Sequence, residues 1–290
     1  MRFDKNTKIL IVGLGLIGGS YAKALSDEGY FVGAIDKNKS SVEYALKNGL
    51  IQVGETSVKK DFVKDFDLIV FALYPHDFIN WIKEYQSSIK SGALITDVTG
   101  VKSFVVENVQ KILRGDLEFV GAHPMAGKEV SGVENADPKI FVGANYIVTP
   151  TKKNTDENVQ AVKDLGRALG FERISSLSPE EHDETVGFLS HLTHCIAVSL
   201  MVSKKSHHLA EYTGDSFRDL TRIAKINDEM WSELFLANKD ELLKQMDLFE
   251  EKFNQLKEDI KNDNREKIRE TLRESTARRK VFDKDAKETK

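Results

Sequence analysis

Apolar and polar positions change rhythm once along the chain, near residue 176. Before it, short aliphatic runs alternate with stretches in which apolar side chains recur every three or four positions. The runs at 8–12, 31–35, 68–73, 93–97 and 119–122 predict buried strands, and 145–148 and 171–175 predict two more. Between them the helical period predicts helices over 16–27, 42–48, 78–88 and 157–169. Strands alternating with helices, each junction marked by Gly, Pro or polar residues, predict a parallel sheet with crossover helices.

Beyond residue 176 no strand is predicted. Ser178-Pro179-Glu180-Glu181 supplies an N-cap, a proline at the first helical position and acids in the first turn. The helix it starts is expected to reach Ser203, interrupted only by Gly187, with Leu189, Leu192, Ile196 and Leu200 on its apolar side. Leu242, Met246, Phe249, Phe253, Leu256 and Ile260 then repeat at a heptad-like spacing, a seam suited to another long helix in this chain or a partner. A last helix over 264–279 carries charges of both signs, read as a solvated face, and 283–290 reads as frayed. The expectation is an α/β domain with a parallel sheet over 1–177, joined directly to an all-α domain over 178–290.

Composition narrows the possibilities. The 290 residues are 40% hydrophobic and 9% aromatic, enough for sizeable cores and against wholesale disorder. With 46 acidic and 42 basic residues the net charge is -4, which argues against a nucleic-acid partner. One cysteine forms no internal disulfide, and no run approaches the ~20 apolar residues of a membrane span. The expected setting is cytoplasmic, with no membrane.

The first candidate site is Gly13-Leu14-Gly15-Leu16-Ile17-Gly18, a G-x-G-x-x-G run between a predicted strand and a predicted helix. Gly13 permits the tight turn, Gly15 lets a pyrophosphate approach the backbone, and Gly18 lets helix pack on strand. The N–H groups of Leu16 and Ile17, at the helix start, face the phosphates. Asp36, ending the next strand, stands where an acid binds the adenosine ribose and repels a 2′-phosphate, favouring NAD over NADP. Ala72 and Leu73 end the strand at 68–73 beside the cofactor, and Thr99 follows the strand at 93–97 at the same edge.

The chemistry-bearing residues follow. His123 ends a strand within Gly121-Ala122-His123-Pro124-Met125-Ala126-Gly127, where an imidazole can take a hydroxyl proton, although spacing alone favours a turn-capping role. Ser190, His191 and His194 share a helix, and Ser190 and His194 lie on one face with Gly187. A zinc pair is disfavoured there, since no HExxH is present and Cys195 reads as a packed thiol; no metal is expected. His207 and His208 read as surface residues. Arg222 is a fork for a carboxylate that Asp219 could orient, or half of a plain intrahelical pair. Trp231 reads as core or pocket wall.

GLGLIGGS, DVTGVK, HPMAGKEVSG, SHLTH and FRDLTRIA, in that order, resemble the prephenate dehydrogenase family of tyrosine biosynthesis, over Lys8 to about Trp231. The resemblance implies a Rossmann-type domain, a helical domain that forms a homodimer, NAD as cofactor and prephenate as small-molecule substrate. It implies that His123 is the catalytic histidine, that Ser190, His194 and neighbouring His191 meet substrate, and that Arg222, with Asp219 beside it, binds a substrate carboxylate. Trp231 corresponds to a pocket aromatic that acts in some readings from the second subunit. One departure stands out: Gly100 replaces a serine that many members carry. Thr99 is then either its substitute or a contact to the nicotinamide. The length leaves no room for a regulatory ACT domain, so tyrosine inhibition is expected at the active site if it occurs. The competing readings are arogenate dehydrogenase, another two-domain dehydrogenase of a hydroxy acid or imine, and an NADH sensor without turnover.

Overall fold

The computed structural model describes residues 1–205 and 208–282; His207 and the tail at 283–290 lie outside the described residues. Two compact units are present, Met1–Lys239 and Asp240–Lys290.

The first unit is built on six parallel strands: β1 (Lys8–Val12), β2 (Phe31–Ile35), β3 (Val53–Glu55), β4 (Leu68–Phe71), β5 (Leu94–Asp97) and β6 (Glu118–Phe119). Their order is β3-β2-β1-β4-β5-β6. Both faces of the central strands are covered, so β1 and β4 are almost wholly apolar, and Ile9, Leu10, Ile11, Ile69 and Val70 are wholly buried. Each such side chain contributes roughly 1.5–3 kcal/mol on burial. The register aligns Val12 with Ile35 and Phe71, and Phe71 with Asp97, so these strands end along one edge. The chain reverses direction across the sheet between β1 and β4, which opens a crevice at that edge. Helices α1 (Leu16–Asp27), α2 (Lys39–Lys47), α3 (Lys60–Val63), α4 (Pro75–Tyr85) and α5 (Ser103–Ile112) make the connections.

The run at 119–122 predicted one strand; the structure divides it. Val120 N–H still bonds the Ile95 carbonyl at 3.0 Å, and the chain then leaves the sheet. Strand β7 (Gly121–Pro124) pairs antiparallel with β8 (Asn145–Thr149), and β9 (Arg173–Ser176) lies parallel to β8. The side chain of Asp97 accepts the Ala122 N–H at 3.0 Å in place of a ladder carbonyl, which turns the strand toward the second sheet. Helix α6 (Asp156–Ala168) links β8 to β9.

Helix α7 (Pro179–Val186) starts at the predicted cap, with Ser178 and Glu181 forming a reciprocal capping box. The expected continuous helix is interrupted by a π-helical segment at Gly187–Leu192 before α8 (Thr193–Val202). A wide turn rotates everything after it about the axis. Leu192 is therefore buried, whereas Leu189 and Leu200, expected on the same apolar side, are exposed. Helices α9 (Asp215–Thr221) and α10 (Asp228–Ala237) complete the unit.

The second unit comprises α11 (Lys239–Lys261), from its second residue, and α12 (Arg265–Arg279). Asp263 takes a left-handed conformation (φ 51°) in the turn, and Asn264 caps α12 at Lys267 N. The heptad-like seam is largely uncovered: Phe253 and Ile260 are 59% and 58% exposed, and Met246 and Phe249 are also exposed.

Candidate active site

The glycine run forms the turn between β1 and α1. Gly13 has φ 100°, and a Cβ there would lie 2.4 Å from the Ala72 carbonyl oxygen; a Cβ on Gly18 would lie 2.0 Å from the Gly13 carbonyl oxygen. Backbone thus replaces side chain at both positions. A Cβ on Gly15 would meet nothing within 4 Å, because that position faces open space. No side chain caps α1, so its first-turn N–H groups, Leu16 and Ile17 among them, are free to meet an anion. Asp36 accepts the Leu14 N–H at 2.6 Å and the Asn38 N–H at 2.7 Å, which fixes its carboxylate beside the loop. Ala72 and Leu73 continue from β4 against the same turn. An open backbone cradle, a helix start and a fixed carboxylate together fit a dinucleotide.

His123 stands on β7 at the end of the first sheet's neighbouring edge. Its Nδ1 lies 2.9 Å from His182 Nε2, and His182 Nδ1 lies 2.8 Å from Asp183 Oδ1. The Asp183 carboxylate also accepts the N–H groups of Lys102 and Ser103 at 2.8 Å each, at the start of α5. Burial first, and then the neighbouring His182, Lys102 and His191, hold His123 well below the ordinary imidazole value. It is therefore neutral near pH 7, as a proton acceptor must be. Burial alone would raise Asp183, yet the bonds from His182, Lys102 and Ser103 hold it below the usual carboxylate value.

Beneath this row is a buried ion pair. Lys102 Nζ donates to Asp97 Oδ2 at 2.6 Å and to Thr99 Oγ1 at 3.0 Å, and neither charged side chain reaches solvent. Thr99 has one hydroxyl proton, placed between Asp97 Oδ2 and the Val101 carbonyl. Its hydroxyl is engaged inward, which goes against one of the two roles expected of Thr99, that of a substitute for the hydroxyl missing at Gly100. Space for that group does exist: a Cβ on Gly100 would lie 3.8 Å from His123 Nε2 and 3.5 Å from Leu234 Cδ2, ordinary contact distances.

The helical residues divide. His194 stacks on Trp231 with ring centroids 3.7 Å apart, and its Nδ1 lies 2.8 Å from the Ser190 carbonyl oxygen. Ser190 and Trp231 are half-buried beside it, Trp231 within the same chain. His191 was expected to meet substrate; it is instead buried, its Nδ1 3.2 Å from Asn238 Nδ2 and its ring against Trp231 and Phe235. The π-helical turn is the cause, since it carries His191 inward while His194 stays half-open. Arg222 pairs with Glu129, 93 residues away, and not with Asp219 as expected; Asp219 is exposed. His208 is exposed, as expected. Cys195 is half-buried, and burial pushes its thiol upward, away from reactivity.

His182, Asp183, Lys102, Asp97, Asn238 and Glu129 were not singled out from the sequence. For the first two a signal existed: Pro179, His182, Asp183 and Val186 are spaced as one helical face, and all four are buried.

Comparisons with known proteins agree with this geometry. The family described as "Prephenate dehydrogenase, nucleotide-binding domain" matches residues 21–173, and "Prephenate dehydrogenase, dimerization domain" matches residues 178–274. The prephenate dehydrogenase of Bacillus subtilis is 35% identical over 249 residues, 82% of this chain and 66% of that protein. A crystal structure of prephenate dehydrogenase from A. aeolicus, in complex with hydroxyphenyl propionate and NAD+, is 35% identical with a TM-score of 0.87, covering 96% of this chain and 98% of that one. The Synechocystis arogenate dehydrogenase is 25% identical with a TM-score of 0.82, covering 96% of this chain and all of that one.

Proposed function

We propose a function from one fixed point: the chain belongs to the prephenate dehydrogenase family. The activity proposed is NAD-dependent oxidative decarboxylation of prephenate to 4-hydroxyphenylpyruvate. The observation that carries it is a neutral His123, backed by His182 and Asp183, on the strand that Asp97 ties to the end of β5, in a sheet whose β1–α1 turn is a dinucleotide cradle.

Gly13, Gly15, Gly18, Leu16 and Ile17 would hold the pyrophosphate, Asp36 the adenosine ribose, and Ala72 and Leu73 would border the cofactor. Bound NAD+ supplies the two-electron acceptor for the ring carbinol, after which loss of carbon dioxide aromatises the ring. His123 Nε2 accepts the hydroxyl proton as that carbon becomes a carbonyl, and returns it to the ring oxygen on aromatisation. Prephenate carries two carboxylates. Arg222 is the exposed fork that takes one of them, exchanging Glu129 for the substrate. Ser190 and His194 line the approach, with Trp231 holding the His194 ring in place.

The boundary between nucleotide-binding and helical parts is placed at 177/178, which the two family matches support. The second part is proposed to form a homodimer. The uncovered seam of α11 and the exposed Phe188, Leu189, Met201 and Val202 are apolar surface that a second copy would cover. Contrary to the expectation that no run approaches a membrane span, the stretch Pro179–Val202 is long and apolar enough to cross one, but it carries the buried His182 and Asp183, so a dimer partner is the better occupant of its exposed face. The setting proposed is the cytosol.

Arogenate is the second reading, supported by the likeness to the Synechocystis enzyme. The test is NADH formation with prephenate and with arogenate, each with NAD+ and NADP+. Turnover of prephenate with NAD+ is expected to lead; no oxidation of either substrate overturns the proposal.

A further inference from the structure

The row of hydrogen bonds behind His123 is longer than simple proton acceptance requires. His182 is wholly buried, and both of its ring nitrogens are engaged. Asp183, its partner on one side, already receives backbone N–H bonds from Lys102 and Ser103. A carboxylate held by such donors is an acceptor only, so the hydrogen in its contact with His182 belongs to His182 Nδ1. Burial keeps His182 neutral at pH 7 by pushing its pKa down, which leaves its Nε2 as a bare lone pair. The 2.9 Å contact with His123 is then a hydrogen bond only if His123 Nδ1 carries a hydrogen. The other arrangement sets two lone pairs against each other inside the protein, at the cost of a buried unsatisfied contact.

We propose that His182 and Asp183 are positioning residues that lock His123 in the Nδ1–H tautomer, leaving Nε2 unprotonated toward Gly100 and the substrate hydroxyl. The proposal deepens the assignment of His123 as proton acceptor and rests on that reading. When Nε2 takes the hydroxyl proton, the His123 ring becomes cationic while its Nδ1–H stays on the lone pair of His182. The negative charge of Asp183 lies one ring further along. The only proton that moves is the one from the hydroxyl, and it returns when the ring aromatises. Lys102, paired with Asp97, also bears on His123 and opposes positive charge there. The acceptor row is what favours the protonated state against it.

Nitrogen-15 spectra of the imidazoles in the wild-type protein, recorded without substrate, read the tautomer directly. The expected result is a protonated Nδ1 and a pyridine-type Nε2 for His123; the reverse tautomer overturns the proposal. His182→Gln keeps an acceptor toward His123 and an N–H toward Asp183, and is expected to retain kcat within about tenfold. His182→Leu keeps neither, and its kcat is expected to fall about 10²-fold or more, with substrate KM within about threefold and the acid limb of the kcat profile displaced. Wild-type kcat in the Leu variant, or a Gln variant as inactive as the Leu variant, overturns the proposal. Should the wild-type protein oxidise no cyclohexadienyl substrate, the proposed activity fails while the nitrogen spectra still decide the tautomer.

Discussion

Replacing Lys102 by methionine removes a buried ammonium while keeping side-chain length. Asp97 then retains the N–H groups of Thr99 (3.1 Å) and Ala122 (3.0 Å) and the Thr99 hydroxyl, but loses its ionic partner, previously at 2.6 Å. Removing one member of a buried pair typically costs ~3–5 kcal/mol, because the other charge stays desolvated. Three remaining neutral donors place the expected loss at the lower end, ~3 kcal/mol. In a chain of this size each kcal/mol moves Tm by ~2–4 °C, so Lys102→Met should melt ~6–12 °C lower. The double variant Asp97→Asn, Lys102→Met carries no buried charge and should recover at least half of that loss. Circular-dichroism melts and urea titrations of the three proteins measure these quantities. A single variant within ~1 kcal/mol of wild type, or a double variant no more stable than the single, would falsify the view that this pair is held together by charge.

Four further outcomes are expected. His123→Asn should bind substrate nearly as wild type but turn over about 10²–10⁴-fold more slowly, as initial rates will show; undiminished kcat removes His123 from the chemistry. Arg222→Ala should chiefly raise the substrate KM, whereas Glu129→Gln, which frees Arg222, should lower it; steady-state titrations separate the two, and an unchanged KM in the Ala variant makes the Arg222–Glu129 pair structural. Asp36→Ser should weaken NAD+ and admit NADP+, measured as the ratio of kcat/KM for the two; an unaltered ratio sinks the ribose assignment. Burial lowers His191 from 6.5 to about 4. The unfolded chain therefore takes up a proton that the folded chain refuses as pH falls below 6.5, and stability should drop by roughly 3 kcal/mol between there and pH 4. Denaturant midpoints across that range should fall, and less steeply in His191→Gln; equal slopes in the two proteins would rule His191 out.

The parts of this protein that local chemistry dictates are the ones its sequence shows. Parallel strands buried on both faces must be largely apolar, so β1, β2, β4 and β5 are visible as runs. A backbone carbonyl that would lie 2.4 Å from a Cβ demands glycine, so Gly13 is visible as well. Strand β3 and helix α3 are too short to show a period. The strand at 119–122 reads as unbroken because its change of sheet depends on Asp97, 25 residues earlier. The π-helical turn has no composition of its own, so the inward rotation of His191 could not be read from spacing. Glu129 and Arg222 meet across 93 residues, and His123 and His182 across 59. His182 and Asp183 sit in an acid-rich stretch that resembles a solvated helix face, and only their spacing with Pro179 and Val186 hints otherwise.

The contact of Asp183 with the start of α5 bears on how such a chain can diversify. His123 and the α5 amides are encoded before residue 177, while the side chains that satisfy both come from α7, after it. A recombination event that grafted a foreign helical half onto this nucleotide-binding half would deliver the cofactor cradle intact. It would also leave two amides and one imidazole without their partners. The two halves are therefore inherited as a matched set, and a functional chimera has to carry α7 along with the first half.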